Sequence, residues 1–219
     1  MKGMTFQSKR ESDFRILCLG AHSDDIEIGC GGTILMLLET VPKVVINWIV
    51  FGSNEDRKLE AEKSANLFLS QVEQKLVLVH NYKDSYFPYI GAEIKTCFEK
   101  LKRDINPDLI FTHHRHDLHQ DHRLISELTW NTFRNHLILE YEIPKYDGDM
   151  GNPNIFVPLS EEICKRKIRN LFDVFQTQID KQWFTEDTFW SILRLRGIES
   201  NAPEKFAEAF YCRKLVLFA

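Results

Sequence analysis

Four short apolar runs, at residues 15–21, 44–51, 75–79 and 109–112, each lead into a stretch of helical character, at about 33–39, 55–69, 94–105 and 119–137. Continuous apolar runs of this length suit strands buried on both faces. A repeated strand–helix order argues for right-handed βαβ units and a parallel sheet, because a strand can only reach a parallel neighbour through a crossover. The expected fold is therefore α/β: a single-domain, Rossmann-like three-layer sandwich with a mostly parallel central sheet.

Beyond residue 138 the rhythm loosens. Residues 139–143 alternate like a strand, 146–158 are rich in Asp, Gly, Asn and Pro and read as a long loop, and 161–178 and 185–196 read as helices. Residues 207–218 are expected to supply a closing strand. No repeat or linker marks a boundary within 219 residues, a length that suits one well-buried domain at 14–219 behind a flexible, polar N-terminal arm at 1–13.

Composition narrows the class of partner. A net charge of -4 offers no basic excess to attract nucleic acid. The longest apolar stretch is far short of the ~20 residues of a membrane-spanning helix, so no membrane insertion is expected. The five cysteines are odd in number, scattered and without a CxxC pair or a secretory leader. That pattern fits a reduced, cytoplasmic setting.

Chemistry concentrates in two places. Ala21-His22-Ser23-Asp24-Asp25 follows the first apolar run, and His113-His114-Arg115-His116-Asp117-Leu118-His119-Gln120-Asp121-His122 follows the fourth. Ligands of open α/β sheets bind at the carboxyl ends of the strands, so both clusters stand where a site belongs. Imidazoles and carboxylates together suit a divalent ion such as zinc, which catalytic sites hold by three such ligands with water in an open position. His22 and Asp25 stand three apart, as do His119 and His122. A lone histidine is more often structural than a ligand, and five between 113 and 122 cannot all touch one ion. His113 and His114 are candidates for the wall of the pocket, His116 for the surface, and spacing alone does not select the ligands.

HExxH, PCxxC, GxSxG and P-loop patterns are absent. The cluster Gly29-Cys30-Gly31-Gly32 does not match GxGxxG and is expected to let the backbone turn tightly before a helix starts. Asp117 is placed to cap the helix that follows the second cluster. Trp183, Phe184, Phe189 and Trp190 could stack on a sugar ring, though at this spacing such residues more often fill a core.

The stretch AHSDDIEIGCGG (21–32), joined to THHRHDLHQDHR (112–123), resembles the LmbE-like, or PIG-L, family of zinc-dependent N-deacetylases, whose pattern is AHPDD followed later by DxHxDH. Arg57 to Ala65 is similar to the family's Arg-x-x-Glu helix, and Arg196-Gly197 with Ala207-Glu208-Ala209-Phe210 to its C-terminal signature. The resemblance implies the LmbE-like deacetylase fold and one Zn2+ per chain held by His22, Asp25 and His122. It implies Asp24 as general base, and His119, oriented by Asp121, as the imidazole that stabilises the oxyanion or assists the leaving amine. Arg57 would contact the substrate. Ser23 replaces the family's usual proline, so the turn would be held only by a local hydrogen bond. The implied substrate is a small N-acetylated amino-sugar conjugate, often of GlcNAc, and family members often form homo-oligomers.

Two alternatives stand beside deacetylation. An ester or phosphoester hydrolase could use the same ions, but few basic residues flank the clusters to clamp a phosphoryl group. A non-catalytic metal- or carbohydrate-binding protein would have no use for Asp24, a carboxylate standing between two ligands.

Overall fold

A computed structural model describes residues 13–216; residues 1–12, the proposed arm, and 217–219 lie outside the described residues. The order of elements is β1 (Phe14–Gly20), α1 (Asp25–Thr40), β2 (Val44–Gly52), α2 (Glu55–Phe68), β3 (Gln74–Tyr82), α3 (Gly91–Asp104), β4 (Leu109–His113), α4 (Gln120–Thr132), β5 (Leu137–Tyr141), β6 (Ile155–Leu159), α5 (Glu161–Val174), α6 (Glu186–Ser200) and β7 (Phe206–Tyr211). One seven-stranded sheet runs β3-β2-β1-β4-β5-β7-β6. Its first five strands are parallel, and β7 runs antiparallel to both β5 and β6.

Alternate residues of β1 point to opposite faces, as strand geometry requires. Ile16 and Cys18 enter a core shared with α1, α2, α5 and α6, while Leu17 and Leu19 enter a second core with α3 and α4. The three layers expected from the pattern are therefore present. Among the described residues no helix is long and apolar enough to cross a membrane.

The chain leaves β1 outward to β2 and β3, then returns to lay β4 on the other side of β1, in register from Ile16 opposite Leu109. The crevice at such a switch point is where α/β sheets bind ligands. The two polar clusters thus emerge side by side.

Two expectations need correction. The glycine cluster lies inside α1 rather than before it, and its purpose is close packing. A Cβ at Gly29 would lie 2.2 Å from the Tyr141 ring, and one at Gly32 would lie 2.6 Å from Leu159 and 2.9 Å from the Glu208 carboxylate. Glu208 accepts hydrogen bonds from Gly32 N–H (2.8 Å) and Thr33 N–H (2.6 Å), while Lys167 Nζ donates to Ile28 O (2.7 Å) and pairs with Glu208 at 2.6 Å. A regular helix pairs the carbonyl of residue 28 with the N–H of residue 32; here both groups are bonded to a buried ion pair.

The second correction concerns the 146–158 stretch, whose end forms β6, an edge strand that tolerates Pro158 because an edge leaves backbone groups unpaired. The aromatic residues of the C-terminal third decide between two readings. Phe184 and Phe189 are buried, and Trp183 and Trp190, partly buried, pack against the same core, so the core reading holds over the sugar-stacking alternative.

Candidate metal and catalytic site

His22 is the first residue beyond the end of β1 to turn into the crevice. Its N–H donates to Asp25 Oδ2, and Asp25 N–H donates weakly to His22 O at 3.4 Å, which closes the turn. Ser23 does not hold this turn: its hydroxyl is buried without a partner among the described residues. Asp25 opens α1, where the helix dipole favours a carboxylate.

From β4, the chain passes His113 and loops to α4, which His119 caps by accepting Asp121 N–H on its own ring Nδ1 at 3.3 Å. The expected cap, Asp117, does something else. Its Oδ1 accepts His119 N–H at 2.8 Å and its Oδ2 bonds His122 Nδ1 at 2.9 Å.

His22 Nδ1 faces His122 Nε2 at 3.2 Å, His22 Nδ1 lies 3.5 Å from Asp25 Oδ2, and His122 Nε2 lies 3.6 Å from Asp25 Oδ1. Ligand atoms about 2.1 Å from a tetrahedral ion stand about 3.4 Å apart, so the spacing fits a metal. The proton arrangement fits as well. His122 spends Nδ1 on Asp117, and His22 spends Nε2 on Asp121 Oδ2 (3.2 Å) and Asp84 Oδ1 (3.1 Å). In the neutral rings those bonds place the protons on the outer nitrogens, so that His22 Nδ1 and His122 Nε2 face each other beside the Asp25 carboxylate.

Charge at this point is strongly negative. Burial alone would lower the His22 pKa, but hydrogen bonding to Asp121 and the charges of Asp25 and Asp84 outweigh it and hold it up at about 10. Burial would raise Asp25, yet His122, His113 and His22 keep it well below the usual carboxylate range.

Asp24 sits beside the three ligand candidates and bonds to none of them; its Oδ1 accepts from Arg57 at 2.8 Å. Arg57 comes from the start of α2, reaches Thr177 Oγ1 at 3.3 Å and lies over the Phe175 ring. Asp121 does not orient His119 with its carboxylate, as expected. That carboxylate accepts from Ser85 N–H and Phe87 N–H and faces His22, so its effect falls on His22. The His119 ring stands edge-on to His22 with centroids 4.9 Å apart. Burial, then the neighbouring His122 and His22, push its pKa below the ordinary histidine value.

His113 forms the buried wall, stacked on His122 at 3.9 Å with Nε2 accepting from Ala21 N–H at 2.9 Å. His114 bonds Glu140, and His116 is exposed. Three groups were not legible beforehand: Asp84, on His22; Lys145, 3.0 Å from Asp117; and Glu27, whose pKa burial raises to about 8, with Asp24 and Asp25 adding to the effect. None lies at a spacing that announces the site, although Glu27 is two residues from Asp25.

The family model of the GlcNAc-PI de-N-acetylases, PIG-L, matches residues 17–133. Among solved structures, N,N'-diacetylchitobiose deacetylase from Pyrococcus horikoshii is 21% identical with TM-score 0.66, over 95% of this chain and 86% of that one. A conserved protein from Thermus thermophilus is 17% identical with TM-score 0.72, over 93% and 96%. A 4-carboxy-2-hydroxymuconate hydratase from Pseudomonas putida is 13% identical with TM-score 0.71, over 94% and 98%. At these identities the likeness is one of fold.

Proposed function

The chain belongs to the PIG-L family of GlcNAc-PI de-N-acetylases, and on that premise we propose that it is a metal-dependent hydrolase that removes the N-acetyl group from an amino-sugar conjugate. The observation that carries the proposal is the convergence of three ligand groups, His22, Asp25 and His122, beside a fourth group, Asp24, that is left out of the cluster and held by Arg57. The same fold in a hydratase means that fold alone does not select the reaction.

Zinc is the proposed ion, since two imidazoles and a carboxylate with a position left open make up a common catalytic donor set. When bound it would acidify a water and polarise the acetamide carbonyl. Asp24 takes the proton of the attacking water. Arg57 occupies Oδ1, which leaves Oδ2 for the proton and fixes the direction of the carboxylate. We therefore assign Arg57 to positioning the base rather than to binding substrate.

His119 accepts on Nδ1, so its ring proton is on Nε2, and its lowered pKa keeps the ring neutral near pH 7. It acts as a neutral N–H donor to the oxyanion. The proton held by Asp24 then goes to the departing amine as the C–N bond breaks. Asp121 and Asp117 keep His22 and His122 aimed.

We also propose a cytoplasmic setting, supported by five free cysteines, and a homo-oligomer, a habit of the family. The test is acetate release from a panel of N-acetylhexosamine conjugates by metal-stripped and zinc-reloaded protein. Release that requires zinc is expected, and no release from any member in either state overturns the assignment. Asp24→Asn should retain zinc and lose about 10²–10⁴ in kcat; unchanged turnover would remove Asp24 from its role.

A further inference from the structure

A second cavity of about 440 Å³ lies between α4 and the segment that follows β7. Its walls carry Arg115, Arg134, Arg213 and Lys214, with Trp130 and Ser126 between them. Two carboxylates oppose these four cations: Glu127 in the wall and the buried Glu140 behind it. The local excess is thus positive on a chain whose net charge is -4.

The arrangement is built rather than incidental. Glu140 accepts from the Trp130 indole N–H with one oxygen and from Arg115 N–H (2.9 Å) with the other, and Arg213 approaches it at 3.7 Å. The Arg213 guanidinium also lies 4.2 Å from the centre of the Trp130 ring. One buried carboxylate therefore fixes three parts of the wall, and such preorganisation reduces the ordering cost of binding. Among the described residues no carboxylate lies within ion-pair distance of the Arg115, Arg134 or Lys214 side chains.

Ser126 packs in the wall behind these cations. It is buried, lines this cavity, and its hydroxyl has no hydrogen-bond partner among the described residues.

We infer that this cavity binds a small phosphorylated molecule, with its phosphoryl oxygens on the Arg115, Arg134, Arg213 and Lys214 cations. Those donors come from three segments of chain, and a tetrahedral group offers oxygens in several directions where a planar carboxylate offers two in one plane. The volume lies in the range of small-molecule sites and leaves room for a body of sugar or nucleoside size. Ser126 stands one helical turn beyond His122 on α4, and no residue of the cavity is among those assigned to hydrolysis.

The test is calorimetric titration of the full, zinc-loaded chain with inorganic pyrophosphate, a nucleoside diphosphate and citrate. Pyrophosphate or the nucleotide is expected to bind below about 1 mM and to weaken about tenfold or more in Arg115→Ala/Arg134→Ala. Both arginines are exposed, so the variant should keep the wild-type melting temperature. A nucleotide that binds more tightly than pyrophosphate identifies a phosphorylated organic ligand; equal binding identifies a free phosphate source, and both support the site. Because pyrophosphate also chelates metal, the titration is repeated with His22→Ala, where binding should persist. Binding lost in His22→Ala, binding unchanged in the double arginine variant, citrate as tight as pyrophosphate, or no binding at about 1 mM would each overturn the inference.

Discussion

Replacing Lys167 by methionine tests the buried ion pair that bonds to the backbone of α1. Lys167 and Glu208 are 3% and 4% exposed, so neither charge has water to fall back on. In Lys167→Met, Glu208 keeps its bonds to Gly32 and Thr33 N–H but loses its counter-charge, and Ile28 O loses its donor. Removing one partner of a buried pair costs about 3–5 kcal/mol because the other charge stays behind. At about 2–4 °C per kcal/mol for a chain of this size, the melting temperature should fall by about 6–20 °C. Urea unfolding of Lys167→Met, Glu208→Gln and the double variant would measure the coupling. The double variant should lose less than Lys167→Met alone, since no uncompensated charge remains in it. A loss under about 1 kcal/mol in Lys167→Met would refute the reasoning and show that α1 carries its own hydrogen bonds at this point.

Asp117→Asn or Lys145→Ala weakens the support behind His122, and zinc affinity should fall about 10–100-fold in a competition with a chelator; unchanged affinity would mean that His122 needs no such support. His22 holds its proton up to about 10, so zinc must displace that proton at neutral pH. Apparent zinc affinity should therefore rise with pH between the ordinary histidine value and about 10, with about one proton released per ion by calorimetry in two buffers. Gly29→Ala drives a methyl group into the Tyr141 ring and should destabilise the protein by about 1–3 kcal/mol by chemical denaturation.

Much of the sheet could be read from the chain because β1, β2 and β4 are buried on both faces over most of their length and so are mostly apolar. β6 was hidden by Pro158 and a polar approach, which only an edge position permits. The two polar clusters were legible because His22 with Asp25 and His119 with His122 lie close together in sequence, although spacing did not select the ligands among them. Their supports were not. Asp84 arrives from the loop after β3 and Lys145 from the loop after β5, and each meets the site only through the fold. Arg57, expected to contact the substrate, bonds Asp24 in the fold. The glycine cluster was misread because glycine at a turn and glycine under an aromatic ring look alike in one dimension.

The place of β7 between β5 and β6 has a consequence for the order in which the molecule can be assembled. During synthesis β6 emerges two helices ahead of β7, the one strand it pairs with among the described residues. Until β7 threads in, β6 has nothing to zip onto, and Lys167 on α5 waits without the carboxylate that β7 brings. A nascent chain halted before Phe206 would already contain β1, β4 and the two polar clusters that follow them and still display an unsealed sheet margin and an orphan ammonium. Such a chain is the species a chaperone or a protease would meet, so quality control of this protein turns on the arrival of one strand.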